Sequence, residues 1–283
     1  MSAPTVEAAL RAGAARLAFA GVPDAGRDAR RLMAAALGVG PDGLISHLRD
    51  PIGPSVGSSF ERFVTRREAR EPVSHILGGR WFYGRWFEIS ADVLDPRPET
   101  ETLVECALAE RFEKLLDLGT GSGAIAISLL AERPGARAVG TDVSSEALAI
   151  AGRNAEAHGV TPRLILPLSN WFEDVGGRYD LIVSNPPYIA AGEMPSLAPE
   201  VRDWEPRAAL TDGGDGLSAY RAIARGAPDH LRPGGRLIVE IGATQGQAVS
   251  ALFRAVGLEE VAVHPDLGGV DRIVLGHASL GEM

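Results

Sequence analysis

Two periods of apolar spacing divide the chain. Over residues 5–75, Ala, Leu and Arg recur three and four positions apart, around 6–20, 27–37 and 58–70. That spacing predicts helices, and no stretch there alternates as a half-buried strand would. Pro23-Asp24, Gly40-Pro41-Asp42 and Pro51-Ile52-Gly53-Pro54 punctuate the pattern. The expectation is a small domain of four or five helices.

From about residue 113 the period changes. Short apolar runs occur at 114–118, 137–141, 162–166, 179–183, 235–241, 259–264 and 271–275. Helical patterns over 123–132, 145–158, 217–231 and 244–256 separate most of them. Repeated β-α units with continuously apolar strands predict an α/β fold, a mostly parallel, doubly wound sheet covered on both faces. Only Pro265 to Val270 separates the last two runs, so these are expected to pair as an antiparallel hairpin at one edge. Between the two regions, Trp81, Phe82, Tyr83, Trp86, Phe87 and Ile89 flank Gly84-Arg85. Aromatics around a glycine turn predict a short β-hairpin with those rings in its core. The expected division is a helical domain over 1–75, a hairpin linker over 76–100 and an α/β domain over 101–283.

Composition narrows the class. Hydrophobic residues make up 45% of the 283 and charged residues 23%, as in ordinary soluble proteins. No apolar run approaches the ~20 residues of a membrane span, and the N-terminus lacks a basic segment followed by a long apolar one. The single cysteine, Cys106, sits in an apolar stretch and reads as a small buried hydrophobe. With no disulfide possible within the chain, a reducing, cytoplasmic compartment is expected. The net charge of −9 argues against a general nucleic-acid binder. It is spread unevenly, +2 over residues 1–75 and −11 over the rest, which suggests two different surfaces. Arg62, Arg66, Arg67 and Arg70 could share one helix face, either as a docking patch for an acidic partner or as a solvated basic face. The six histidines are scattered without metal-ligand spacing, so no metal site is expected.

Three stretches carry candidate chemistry. "LLDLGTGSGAIAI" (Leu115 to Ile127) follows the first strand of the α/β region and opens a helix. Glycines at 119, 121 and 123, with Thr120 and Ser122 between them, suit a strand-to-helix turn that a ligand approaches closely. The spacing from Asp117 is D-x-G-x-G-x-G, which differs from the dinucleotide fingerprint, and no Walker lysine is present. A carboxylate just before the turn suits a cationic or amine-bearing ligand better than a pyrophosphate. The next strand ends at Asp142, where a carboxylate can accept from both hydroxyls of a ribose, or cap the helix starting near Ser145. "PLSNWFED" (Pro167 to Asp174) follows the third strand. Trp171 there can lie on an adenine face, with Asn170 near its exocyclic amine, or serve only as loop packing.

"SNPPYIA" (Ser184 to Ala190) ends the fourth strand. Two prolines stop the ladder, fix φ and remove competing N–H donors. The Asn185 side-chain oxygen and the Pro186 carbonyl can then accept both hydrogens of one planar NH₂. Tyr188 offers that group an apolar face, after Pro187. Such a nitrogen is a poor nucleophile; orientation and in-line placement, rather than a strong base, are what a site can supply.

D-x-G-x-G-x-G, an acid at the second strand and N-P-P-Y after the fourth together resemble the class I S-adenosylmethionine-dependent methyltransferases. The resemblance implies a seven-stranded Rossmann-like sheet forming the catalytic domain. It implies that Gly119, Thr120, Gly121, Ser122, Gly123, Asp142, Trp171 and Asn185 bind the cofactor, which leaves as S-adenosylhomocysteine. In that family the first loop holds the methionine moiety, the acid the ribose and the third loop the adenine.

NPPY motifs occur in adenine, guanine and glutamine methyltransferases. More of the chain narrows the choice. "EPVSHILGGRWFY", "PRPET" (Pro96 to Thr100), "WEPRAAL", "LRPGGRLIVEIGATQGQAV" and "DLGGVDRIVLG" are similar, in order, to the peptide chain release factor N5-glutamine methyltransferases, from about residue 71 to 275. That resemblance implies methyl transfer to the side-chain amide of the glutamine in the Gly-Gly-Gln motif of class-1 release factors, modulating translation termination. It implies Asn185, Pro186 and Tyr188 as catalytic residues, and these with Pro187 as the substrate contacts. Arg97 and Glu99 would line or brace the cleft. The helical domain would recognise the release factor, with no membrane or direct nucleic-acid contact and a monomeric chain. The alternative is an adenine or guanine N-methyltransferase. The chain departs from the family at Asn170, where Asp is common, and at Asp95, where an aliphatic residue is usual.

Overall fold

The structure is a computed structural model describing residues 4–281. It divides into two compact units, one running to Gly79 and including Ala198–Trp204, the other formed by Arg80–Leu197 and the chain from Glu205 onward. In the first, helices α1 (Val6–Phe19), α2 (Ala25–Leu37), α3 (Leu44–His47), α4 (Pro54–Glu68) and α5 (Val73–Leu77) follow one another. Thr5 starts α1 by accepting the Ala8 N–H at 3.2 Å. Leu17, Leu32, Met33, Phe60 and Val64 are fully buried at the centre, each contributing roughly 1.5–3 kcal/mol of burial. Gly13 lets α1 lie close on α4, since a Cβ there would stand 2.6 Å from the Phe60 ring.

The basic face expected on α4 is not available as such. Arg67, 5% exposed, pairs with Asp28 at 2.7 Å and Glu200 at 2.8 Å. Arg70, with φ of +67°, grips both oxygens of Glu200, and Arg66 binds Glu71. Arg62 pairs with no carboxylate among the described residues; it donates to Ser59 and lies over the Phe63 ring. Helical spacing places arginines on a face, but carboxylates distant in sequence decide whether their charge is presented or consumed.

The second unit opens with the hairpin β1 (Gly79–Phe82) and β2 (Arg85–Glu88), whose two-residue turn has positive φ at both Tyr83 and Gly84. Phe82 and Phe87 are buried edge to face, as expected for hairpin core. Trp81 and Trp86 instead pack on each other on the outer side, with Trp81 60% exposed. The chain continues through α6 (Glu101–Leu108), β3 (Lys114–Leu118), α7 (Ala124–Glu132), β4 (Arg137–Thr141), α8 (Ser145–Ala157), β5 (Leu164–Ile165) and β6 (Tyr179–Ser184). After α9 (Pro199–Arg202), which lies in the first unit, come α10 (Arg207–Leu210), α11 (Ser218–His230), β7 (Leu231–Glu240), α12 (Gly246–Ala255), β8 (Glu259–Pro265) and β9 (Asp271–His277).

The seven main strands form the expected sheet, in the order β5-β4-β3-β6-β7-β9-β8. The first five are parallel; β9 is antiparallel to both β7 and β8, which ends the sheet. The run at 162–166 contributes only Leu164–Ile165, because Thr161-Pro162-Arg163 forms a tight turn first. One apolar core holds Leu103, Ile127, Leu129 and Ile150 on the α6–α8 side; the other holds Tyr220, Ile223, Val249 and Phe253 on the α11–α12 side. Cys106 is half-buried against the first core, and burial pushes its thiol up.

Strand order reverses between β3 and β6, so a crevice opens beyond their carboxyl ends. Register brings those ends level: Leu118 pairs with both Thr141 and Ser184, and Ser184 with Val239. The Ser184 hydroxyl also donates to the Leu118 carbonyl at 2.7 Å. Gly119, Asp142, Asn185 and Glu240 therefore each begin or stand at a strand end on one line.

Candidate active site

The glycine loop is built against the sheet. Gly123 caps α7 with φ of +79°, and a Cβ there would stand 2.8 Å from Ile127 Cδ1 and 3.2 Å from Ala151 Cβ. The Thr120 N–H donates to the Thr141 carbonyl at 2.8 Å. Asp117 is wholly buried. Its Oδ2 accepts from the Thr120 hydroxyl (2.7 Å) and the Ala126 N–H (3.3 Å), while Oδ1 has no hydrogen-bond partner among the described residues. Burial pushes this carboxyl up to about 7. The acid before the turn thus braces the loop as well as bordering it. Thr120 and Ser122 have buried side chains.

Asp142 is not the helix cap. Ser144 is, accepting the Ala147 N–H at 3.1 Å. Asp142 instead accepts the Gly121 N–H on Oδ2 (2.9 Å) and the Ser144 N–H on Oδ1 (3.0 Å). Each carboxylate oxygen keeps a lone pair for a hydroxyl. Beside it, Val143 is 61% exposed and Leu168, whose backbone bridges to Asp142, is 56% exposed. Two apolar side chains left open around a carboxylate suit the flat face of a nucleoside base. Sequence reasoning missed both, since single apolar residues in loops carry no signal until the fold leaves them uncovered. Trp171, φ +53°, is half-buried against the α11–α12 core, and the Asn170 amide donates to Glu173 at 2.9 Å.

Across the crevice, Asn185 Nδ2 donates to the Thr100 hydroxyl at 3.2 Å, and its Oδ1 is buried without a hydrogen-bond partner among the described residues. Pro186 is buried; Tyr188 is half-buried against the α11–α12 core, and burial pushes its phenol up to about 12. Gln245 holds the motif from behind. Its Nε2 donates to the Tyr188 carbonyl at 2.9 Å, and its Oε1 accepts the Gly242 N–H at 3.0 Å. Arg97 Nη2 donates to both oxygens of Glu205 at 2.6 and 2.7 Å, and Arg80 reaches Asp95 at 2.9 Å. Burial pushes Glu205 up to about 7 against the pull of Arg97. Glu240, 1% exposed at the end of β7, is likewise pushed up to about 7 by burial, opposed by the Thr100 hydroxyl and Arg272. Among the described residues no cluster of three or more His, Cys, Asp and Glu could hold a metal ion.

Comparison with known proteins places this geometry. Residues 8–78 match the family model of the PrmC N-terminal domain, and residues 89–215 that of the methyltransferase small domain. The release factor glutamine methyltransferase of Cereibacter sphaeroides is 60% identical over 266 residues, covering 94% of this chain and 96% of its own. The chain belongs to the release factor glutamine methyltransferase family. The namesake protein of Rhodospirillum rubrum is 44% identical over 266 residues, covering 93% of this chain and 82% of its own. Among solved structures, a methyltransferase from Pyrococcus furiosus shares the fold, with a TM-score of 0.57 at 19% identity over 76% of this chain and 99% of its own.

Within this family site, Thr100, Glu240 and Gln245 are the residues that sequence reasoning did not assign. Glu240 left a trace: it is the one charge within the apolar run "LIVEI". A charge kept inside a buried strand is costly, and that cost marks Glu240 as more than a packing residue.

Proposed function

We propose that this chain methylates the side-chain amide nitrogen of a glutamine, that of the Gly-Gly-Gln segment in class-1 peptide chain release factors, using S-adenosylmethionine. The observation that carries the reading is the Asn185 oxygen, buried at a strand end with no hydrogen-bond partner among the described residues. A lone acceptor in that setting suits a substrate N–H donor. The Pro186 carbonyl, next along the chain, is the proposed acceptor for the second hydrogen of the same NH₂. Tyr188 would support the planar amide.

The cofactor half fits a nucleoside with a sulfonium arm: Asp142 has lone pairs for ribose hydroxyls, Val143 and Leu168 offer apolar cover for the base, and Gly119 and Gly121 leave the loop backbone bare. Trp171, with Thr120, Ser122 and Gly123 of the loop, completes the proposed cofactor contacts. When bound, S-adenosylmethionine supplies an electrophilic methyl group. The residues of this chain supply placement. Asn185 and Pro186 orient the amide nitrogen and favour its tetrahedral form, so proximity and alignment carry most of the acceleration. No base is needed before attack, since the nitrogen becomes acidic only on methylation. S-Adenosylhomocysteine would be the other product. The helical unit would hold the release factor, and the chain would act as a cytoplasmic monomer. No helix among the described residues is long and apolar enough to cross a membrane.

Incubation with labelled S-adenosylmethionine and purified release factor tests the reading. Label is expected on the intact factor and absent when its Gly-Gly-Gln glutamine is changed to alanine. Label on neither factor or on both overturns it, as does preferential labelling of ribosomal RNA or DNA.

A further inference from the structure

We propose that the amino ends of β3, β4 and β6 hold a second ligand site, which takes a small phosphate-bearing molecule with an apolar or planar body, of the mononucleotide class. It lies at the opposite end of the sheet from the candidate active site and stands independently of the function proposed above.

The site follows from a helix that the fold omits. The crossovers β3–β4, β4–β5 and β6–β7 carry α7, α8 and α11 over the sheet. The crossover from β5 to β6 carries none: residues 166–178 form only turns and extended chain. Parallel strands are ordinarily covered on both faces. Here the α11–α12 layer buries Leu116 of β3, covers Val139 of β4 in part, and leaves Ile165 of β5 67% exposed. These three stand side by side in register. Val139 and Ile165, with Pro162 and Tyr179, thus line a cavity of about 220 Å³.

The rim of this cavity is basic. Lys114 and Arg137 pair in register, two residues before Leu116 and Val139 and so on the same face. Both are exposed, and neither side chain has a hydrogen-bond or carboxylate partner among the described residues. Like charges set beside each other repel. Arg178 borders the same cavity and commits only Nη1, to the Leu231 carbonyl at 3.0 Å. Arg163 is different: its guanidinium is taken by the Leu130, Arg133 and Ala136 carbonyls. No carboxylate lines the cavity. Asp180 is held by the Glu113 and Lys114 N–H groups and by Arg232, and Glu113 falls on the other face by alternation.

Three cations therefore surround an apolar hollow in a part of the chain whose net charge is −11. A phosphate answers the cations, accepting from Lys as a point charge and from Arg through paired N–H groups. The apolar wall answers the body that the phosphate is attached to. A hollow of this volume receives one small molecule, whereas a stable protein partner covers about 800 Å² on each side.

Calorimetric titration tests the site, with guanosine 5′-monophosphate as probe and the protein saturated with S-adenosylhomocysteine. Dissociation constants below about 1 mM are expected for the nucleotide, with inorganic phosphate and guanosine each at least about 10-fold weaker. Lys114→Glu combined with Arg137→Glu should weaken the nucleotide at least about 30-fold; Arg225→Glu, exposed on α11, should change it less than about 2-fold. Lys114→Gln combined with Arg137→Gln relieves the repulsion between the two and so guards against misfolding. The nucleotide should raise the Tm of wild type and of Arg225→Glu but not of that neutral pair. No binding at 5 mM (about fivefold above the expected limit) overturns the site. Equal binding by wild type and both double variants overturns it too, as does inorganic phosphate binding as tightly as the nucleotide. A short single-stranded RNA that binds wild type more tightly than the nucleotide, and loses that binding in the double variants, overturns the small-molecule assignment.

Discussion

The Asp142 carboxylate accepts the Gly121 N–H across 2.9 Å, joining the end of β4 to the middle of the glycine loop. The same carboxylate holds the Ser144 N–H at 3.0 Å, so one side chain shapes both walls of the proposed cofactor half. Asp142→Ala should therefore weaken S-adenosylmethionine binding by about 10- to 100-fold, the loss of charged acceptors and of loop support together. Asp142→Asn retains one acceptor and should lose less. Calorimetric titration of both variants checks this. Affinity within twofold of wild type for Asp142→Ala would remove Asp142 from the site.

Asn185→Ala deletes the orphan acceptor without touching the glycine loop. Methyl transfer should fall at least about 100-fold, while cofactor affinity stays within a few-fold. Single-turnover transfer and equilibrium binding separate the two. A large loss of binding would show that Asn185 serves the cofactor half rather than the acceptor half.

Periodicity made the sheet legible because each strand is buried on both faces and reads as an unbroken apolar run. The glycine loop and SNPPYIA were legible because their residue types carry local geometry: positive φ, a fixed φ, a missing N–H. Glu240, Thr100 and Gln245 were not, since their roles come from register and from turns far apart in sequence. Arg67 and Arg70 show the same limit. Their helical spacing is local, but their partners Asp28 and Glu200 lie 39 and 130 or more positions away.

Gly216 stands where Tyr188 needs room. Its φ is +74°, and a Cβ would come within 2.3 Å of the Tyr188 carbonyl, the oxygen that Gln245 holds. Gly216→Ala should cost about 1–3 kcal/mol of stability and lower transfer, because the NPPY segment must shift to admit the methyl group. Gly214→Ala, two residues away, meets only the Asp212 side chain at 3.5 Å and should stay within about 0.5 kcal/mol. Urea unfolding of the pair, with transfer rates, checks the contrast. Equal effects at both positions would deny that the contact with Tyr188 matters.

Acid should loosen the helical unit through Glu200. Burial alone would raise this carboxyl, but hydrogen bonds from Arg70, its own backbone N–H and Arg67 outweigh burial and hold it down to about 2. A carboxyl depressed in the folded state favours folding wherever the unfolded chain would otherwise carry the proton. Its contribution is thus complete above the ordinary value of 4.5 and fades as pH falls toward 2. Glu200→Gln should destabilise by about 1–3 kcal/mol at pH 6, since Arg67 keeps Asp28 but Arg70 loses the carboxylate it pairs with among the described residues, while sitting at φ +67°. At pH 3 the gap between wild type and variant should narrow, because the unfolded chain by then carries the proton on Glu200 while the folded chain must still keep it off. Urea unfolding at the two pH values measures it. A gap that holds constant or widens on acidification would mean that Glu200 acts through packing, with its ionisation playing no part in stability.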